Sequence, residues 1–201
     1  MKQLHSDWGD EVQFIDIIVR QAHPGPGVEP YRTFEQKARD AAAYQQIEQI
    51  TWPVLVDDLA GSVHQAYGGL SDPSYIIDID GRVAFYNHWN NAPSLHLALE
   101  ALRAQGWHGI VRGGVERTPH IGAAMTDGWR GLRRGSPQSL IDMELATPGS
   151  TVAAWFGYQI RPLIAPLTLK SRPLSVTTST AMAFGVGIVA GALAARVIGS
   201  E

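Results

Sequence analysis

The amino-acid sequence predicts an α/β domain followed by a C-terminal apolar helix, and three observations carry that reading. Strand-like and helix-like patterns alternate from Val12 to Gly106. Within that span Asp80-Gly81 separates two runs rich in β-branched and aromatic residues, the strongest short signal for a hairpin. Far downstream, Val176 to Ala195 holds no charged side chain, and ~20 residues of helix match a ~30 Å hydrocarbon layer.

Each element has its own local reason. Lys2 to Trp8 reads as the end of a helix stopped by Gly9-Asp10. Val12 to Val19 is a β-branched run with a single acid, the composition of a buried parallel strand. It gives way to Ala22-His23-Pro24-Gly25-Pro26-Gly27, where prolines and glycines forbid regular structure. A helix is expected from Thr33 to Ile50, with Phe34, Ala38, Ala42 and Ile47 as its apolar stripe.

Trp52 to Asp58 reads as a short strand ending in acids, placed to cap a helix from Ala60 to Tyr67 that Gly68-Gly69 closes. Ser74 to Ile79 and Arg82 to Tyr86 form the hairpin. Pro93 opens an amphipathic helix bearing Leu95, Leu97, Leu99 and Leu102, and Gly106 ends it.

Composition narrows the chemistry. The 201 residues are 45% hydrophobic with a mean hydropathy of -0.07, which excludes a disordered chain. There is no cysteine, so these residues supply no disulfide, thiol nucleophile or thiolate metal site. Up to Gln105 there are 7 Lys/Arg against 14 Asp/Glu, and from Gly106 there are 9 against 5. An acidic front and a basic rear suit two different surroundings, water and an anionic surface.

The block from the first strand, at Val12, to the helix that ends at Gly106 resembles redoxins of the thioredoxin superfamily, within them the iodothyronine deiodinase-like branch. The resemblance rests on Phe14 to Val19 leading into Gln21-Ala22-His23-Pro24, on Trp52-Pro53-Val54-Leu55-Val56-Asp57, and on Ala66-Tyr67-Gly68. Asp72-Pro73 and Ile77-Asp78-Ile79-Asp80-Gly81-Arg82-Val83 complete it, so that it covers about half the chain. The branch commonly has an acid before Ala-His, where this chain has Gln21.

The resemblance implies a thioredoxin-like fold lacking its central strand and Cys-x-x-Cys (or Cys-x-x-selenocysteine) turn, which in that family precede the helix matched by Lys2 to Trp8. Met1 then reads as an internal methionine, and the gap falls between Val12–Val19 and Ser74–Ile79. Unpaired buried backbone groups there, at ~1–3 kcal/mol each, predict marginal stability. The resemblance also implies that His23, Asp72 and Pro73 line the active-site wall, with Pro73 after a cis peptide bond.

The expected organisation is a redoxin domain over 1–106, a linker over 107–175 and a membrane anchor over 176–195. The linker includes an interfacial segment at 151–169, kinked by its prolines. Small residues at Ala183, Gly187, Gly191 and Ala195 recur every fourth position, the pattern by which membrane helices pack closely. A membrane and a second copy joined through that helix are the expected partners, and nucleic acid is not. Lys170 and Arg172 before the segment, against Arg196 after it, place the domain on the cytoplasmic side.

Two functions follow. One is a membrane-anchored oxidoreductase of the redoxin family, acting on a small molecule through a thiolate or selenolate that this chain lacks. The other is a redox-inactive, membrane-tethered binding module using the same cleft. Neither calls for a cofactor. Asp78 to Gly81 opens like a calcium loop but lacks the later oxygen ligands, and the histidines show no metal-ligand spacing.

Overall fold

Helix α1 (Lys2–Trp8) leads through an irregular stretch into β1 (Asp16–Ile18), shorter than the eight-residue apolar run in which it lies. The computed structural model describes residues 1–111, 115–116 and 121–172. Of these, residues up to Ser171 form one compact unit. Helix α2 (Phe34–Ile47) follows β1, then β2 (Val54–Val56), which pairs with β1 in parallel, Ile17 opposite Leu55. After the short α3 (Ser62–Ala66), β3 (Ser74–Ile77) and β4 (Val83–Asn87) make the expected antiparallel hairpin. Gly81 takes φ +79° in its turn, a conformation glycine reaches without strain.

Helix α4 (Ala92–Ala104) starts where Asn91 Oδ1 accepts the Ser94 N–H at 2.9 Å, with Pro93 in its first turn. Beyond it the two-residue β5 (Val115–Glu116) lies parallel to β4. The apolar core sits between this hairpin, α1 and α4. Leu4, Trp8, Ile76, Phe85, Leu95, Leu99 and Leu102 are buried together there. Trp8 Nε1 donates to His96 Nδ1 at 3.0 Å, so the imidazole proton is on Nε2, facing Glu100 at 3.3 Å. Arg103 lies 4.7 Å over the Trp8 ring and pairs with Glu11 at 3.1 Å, fastening α1 to α4.

The rest of the unit is helical: α5 (Ile121–Arg134), α6 (Gln138–Ala146), α7 (Ser150–Gln159) and α8 (Arg161–Thr168). The stretch 107–175, expected as a linker, carries β5 and these four helices. Helices α5 and α7 meet backbone to backbone, because a Cβ on Gly157 would lie 2.5 Å from the Met125 carbonyl oxygen. Helix α8 joins them through Thr168, whose hydroxyl is 2.8 Å from that of Thr126. Past α8, Ser171 Oγ donates to Asp7 at 2.9 Å, returning the chain to α1.

Two expectations are corrected. The fold is not a thioredoxin-like sheet: the strands form a two-stranded β1-β2 sheet and a separate β3-β4-β5 sheet, within a mixed α/β unit of eight helices among the described residues. The physical reason is the pairing itself, since among the described residues β1 bonds to β2 alone and β3 to β4 alone, and no strand joins the two sheets. The second correction concerns the membrane. Among the described residues no helix is long and apolar enough to cross one. Helices α7 and α8 reach only ten and eight residues, against the ~20 a crossing needs. The single-pass anchor and the cytoplasmic placement drawn from it thus have no helix among the described residues to carry them. The stretch 176–195 lies outside the described residues.

Candidate functional site

The three residues expected to line an active site have separate neighbours. His23 Nδ1 lies 2.9 Å from Asp142 Oδ2 on α6. That contact, and then the Gln138 amide at 2.7 Å, holds the Asp142 carboxyl below the usual range. The loop can sit so close because its glycines lack side chains: a Cβ on Gly25 would lie 2.6 Å from Gln138 Cβ, and one on Gly27 2.2 Å from the Ser136 carbonyl. Asp72 bridges through its backbone to Trp89. Its carboxyl is pushed up by the surrounding protein and, less strongly, by Asp16, against a pull down from the Asn90 N–H.

The bond before Pro73 is trans; the one cis bond among the described residues precedes Pro137. No hydrogen bond, ion pair or ring contact among the described residues links His23 to Asp72 or Pro73. Ala183, Gly187, Gly191 and Ala195 lie outside the described residues. No three His, Asp or Glu side chains among the described residues gather as a metal site requires.

What the structure brings together instead is an open strand edge beside exposed apolar side chains. Asp16 N–H donates to the Pro53 carbonyl and Asp57 N–H to the Ile18 carbonyl, each at 3.0 Å. Parallel pairing alternates, so Asp16 and Ile18 turn both backbone groups toward β2, and Ile17 turns both the other way. Among the described residues no strand lies on that side. The side chains alternate too. Ile15, Ile17 and Leu55 share one face and are 51%, 40% and 49% exposed. Exposed branched apolar side chains beside an unpaired strand edge are what soluble proteins ordinarily avoid.

The opposite face is covered by α2 through a polar contact that the helical pattern hid. Phe34 and Ile47, expected to be buried, are exposed, and Lys37 is buried in their place at 1% exposure. Its Nζ donates to the carbonyls of Asp57 at 2.8 Å and Asp58 at 3.0 Å, just past the end of β2. Burial pulls the Lys37 pKa down, and the two aspartates oppose that pull. The signal lay in spacing: Lys37 and Ala41 are four apart, one turn on the face next to the expected stripe.

Asp57 is the second member of this corner. It accepts N–H bonds from Asp58, Val63 and His64 at 2.9 to 3.0 Å and so starts α3. Burial pushes its carboxyl up, but the three N–H donors together outweigh it and hold the group low. Above β1, Tyr44 Oη donates to Asp16 at 3.1 Å. Burial first, and Asp16 next, push that phenol well above its ordinary range. Strand β1 is thus anchored on one side and open on the other.

No protein-family model, curated protein or solved structure matches this chain.

Proposed function

We propose that this chain is a binding module without thiol chemistry, which takes an extended apolar segment along the outer edge of β1. The observation that carries this reading is the pairing of an unbonded Ile17 backbone with the exposed Ile15, Ile17 and Leu55 side chains. Strand addition uses both features at once. Main-chain hydrogen bonds supply affinity, and alternate side chains supply selectivity. Fully burying a branched aliphatic side chain contributes ~1.5–3 kcal/mol, so covering parts of three offsets much of the ordering cost of a short strand. With no cysteine in these residues, a thiol-based redox step has no sulfur to begin from.

The test uses a six-residue peptide of alternating valine and threonine, and the same peptide N-methylated at alternate residues. Each is titrated into the full chain while backbone amide resonances are followed. The plain peptide is expected to shift the Ile15, Ile17 and Leu55 signals with a dissociation constant of about 0.1–1 mM. The N-methylated peptide, unable to complete the ladder, is expected to leave them in place. Equal shifts from both peptides, or shifts confined to residues away from β1, would refute strand addition. So would no response to either.

A further inference from the structure

A second site lies in the helical layer and owes nothing to the strand edge. Trp129, Arg130, Arg133 and Arg134 of α5, with Tyr158 of α7, line a cleft of about 340 Å³. Helix geometry explains the gathering. Trp129 and Arg133 are four apart, as are Arg130 and Arg134, so each pair stacks along one side of α5. The close approach of α7 at Gly157 brings the neighbouring Tyr158 to the same side.

Charge in this cleft is arranged for an anion. Arg130 Nη2 and Arg134 Nη1 both reach Glu48 Oε1, each at 3.1 Å, so two guanidinium groups already converge on one carboxylate oxygen. Arg130 also lies 3.6 Å from Asp127, which pairs with Arg161 at 3.2 Å. Arg133 has no hydrogen bond or ion pair among the described residues. Four guanidinium groups therefore face two carboxylates, and the one without a partner lines the cleft.

We infer that this cleft binds a phosphate monoester that carries a planar ring, of which a nucleoside monophosphate is the simplest form. A guanidinium presents a planar fork of donors that fits two phosphate oxygens, and Arg133 has its full set to give. Trp129 and Tyr158 offer flat π-faces on which a ring stacks, worth ~1–3 kcal/mol per base without demanding one base. The volume falls at the lower end of the ~300–1,000 Å³ range of small-molecule sites, which suits one ring and one phosphate. Glu48 stays in place, keeping Arg130 and Arg134 oriented beside the incoming anion.

The experiment is calorimetric titration of the full chain with adenosine monophosphate, adenosine and inorganic phosphate at low ionic strength. Adenosine monophosphate is expected to bind at least about tenfold more tightly than either part alone. Its affinity should fall as salt is raised, because exposed charges are screened. Arg133→Gln is expected to weaken it about tenfold with an unchanged melting temperature, because the side chain is exposed and has no partner to lose. Arg39→Gln, which removes the same charge from an exposed position on α2, should bind as the unaltered chain does. Equal affinity for phosphate and the nucleotide would overturn the inference, as would equal loss in the two variants or no heat up to about 5 mM.

Discussion

The two sheets of this protein are held in opposite ways. Around β3-β4, α1 and α4 press seven large apolar side chains into one core, where the buried Trp8 and His96 hydrogen-bond to each other. Around β1-β2 only one face is covered, and the residue fixing that cover is a buried lysine on two backbone carbonyls. A core of the first kind is closed and non-directional. A contact of the second kind is directional, and it leaves the other face free to be used. Stability and exposure have been placed in different halves of one unit.

Breaking the closed half should have the largest effect. Leu99→Ala removes a 2% exposed side chain from the core, and deletions of this kind cost ~2–5 kcal/mol. Chemical denaturation should show that loss, and a change under ~1 kcal/mol would mean the core is looser than its packing implies. In the open half, Lys37→Met keeps the stem and removes the ammonium, leaving the Asp57 and Asp58 carbonyls without this donor. A loss of ~1–3 kcal/mol is expected, concentrated in the amides of α2 and β2 when exchange with solvent is followed residue by residue. A loss spread evenly over both sheets would erase the contrast drawn above.

Acid sharpens the comparison from another side. Asp57 in the open half and Asp78 in the closed half both lie below the ordinary aspartate value of 3.8. Asp78 is lowered chiefly by the Arg82 N–H, then by those of Gly109 and Asp80, against burial. Each therefore stays ionised to lower pH in the folded chain than in the unfolded one. Their contribution is complete above about pH 3.8 and is lost as the pH falls through the lower folded values. Asp57→Asn should lower stability at neutral pH by ~1–3 kcal/mol, Asp78→Asn should lower it as well, and each should flatten the acid limb of the stability profile. An unchanged acid limb in both would show that these carboxyls are not what acid titrates.

The smallest effect belongs to the exposed face. Ile17→Thr keeps the β-branch and removes apolar surface that touches solvent already, so stability should move by no more than ~0.5 kcal/mol. A loss above ~2 kcal/mol would place Ile17 in a core and close the proposed edge.

Much of this arrangement was legible in the residues. Thr33 marks the start of α2, Pro93 opens α4, and Asp80-Gly81 turns the hairpin, because each rests on chemistry within a few positions of itself. What failed depends on contacts across the chain. The helical pattern puts the apolar stripe of α2 at Phe34, Ala38, Ala42 and Ile47, yet the buried face is the one where Lys37 meets carbonyls twenty residues on. The stretch after Gly106 looked like a linker because its glycines and arginines blur any periodicity. Gly157 is in fact the close approach of α7 to α5, and Arg130 and Arg134 are bound through Glu48 to the end of α2. His23 lies in a loop, as the prolines and glycines beside it predict, but its partner on α6 is far away in sequence.

One measurement bears most directly on the open edge: exchange of the Ile17 and Ile18 backbone amides with solvent in the free protein. Ladder geometry has the Ile18 N–H donate to the Leu55 carbonyl and leaves the Ile17 N–H without a strand beside it. Ile18 should therefore exchange slowly, and Ile17 at a rate near that of an unstructured amide. Equal protection at the two positions would mean that another segment already occupies the far side of β1, and the account of a receiving strand would be wrong.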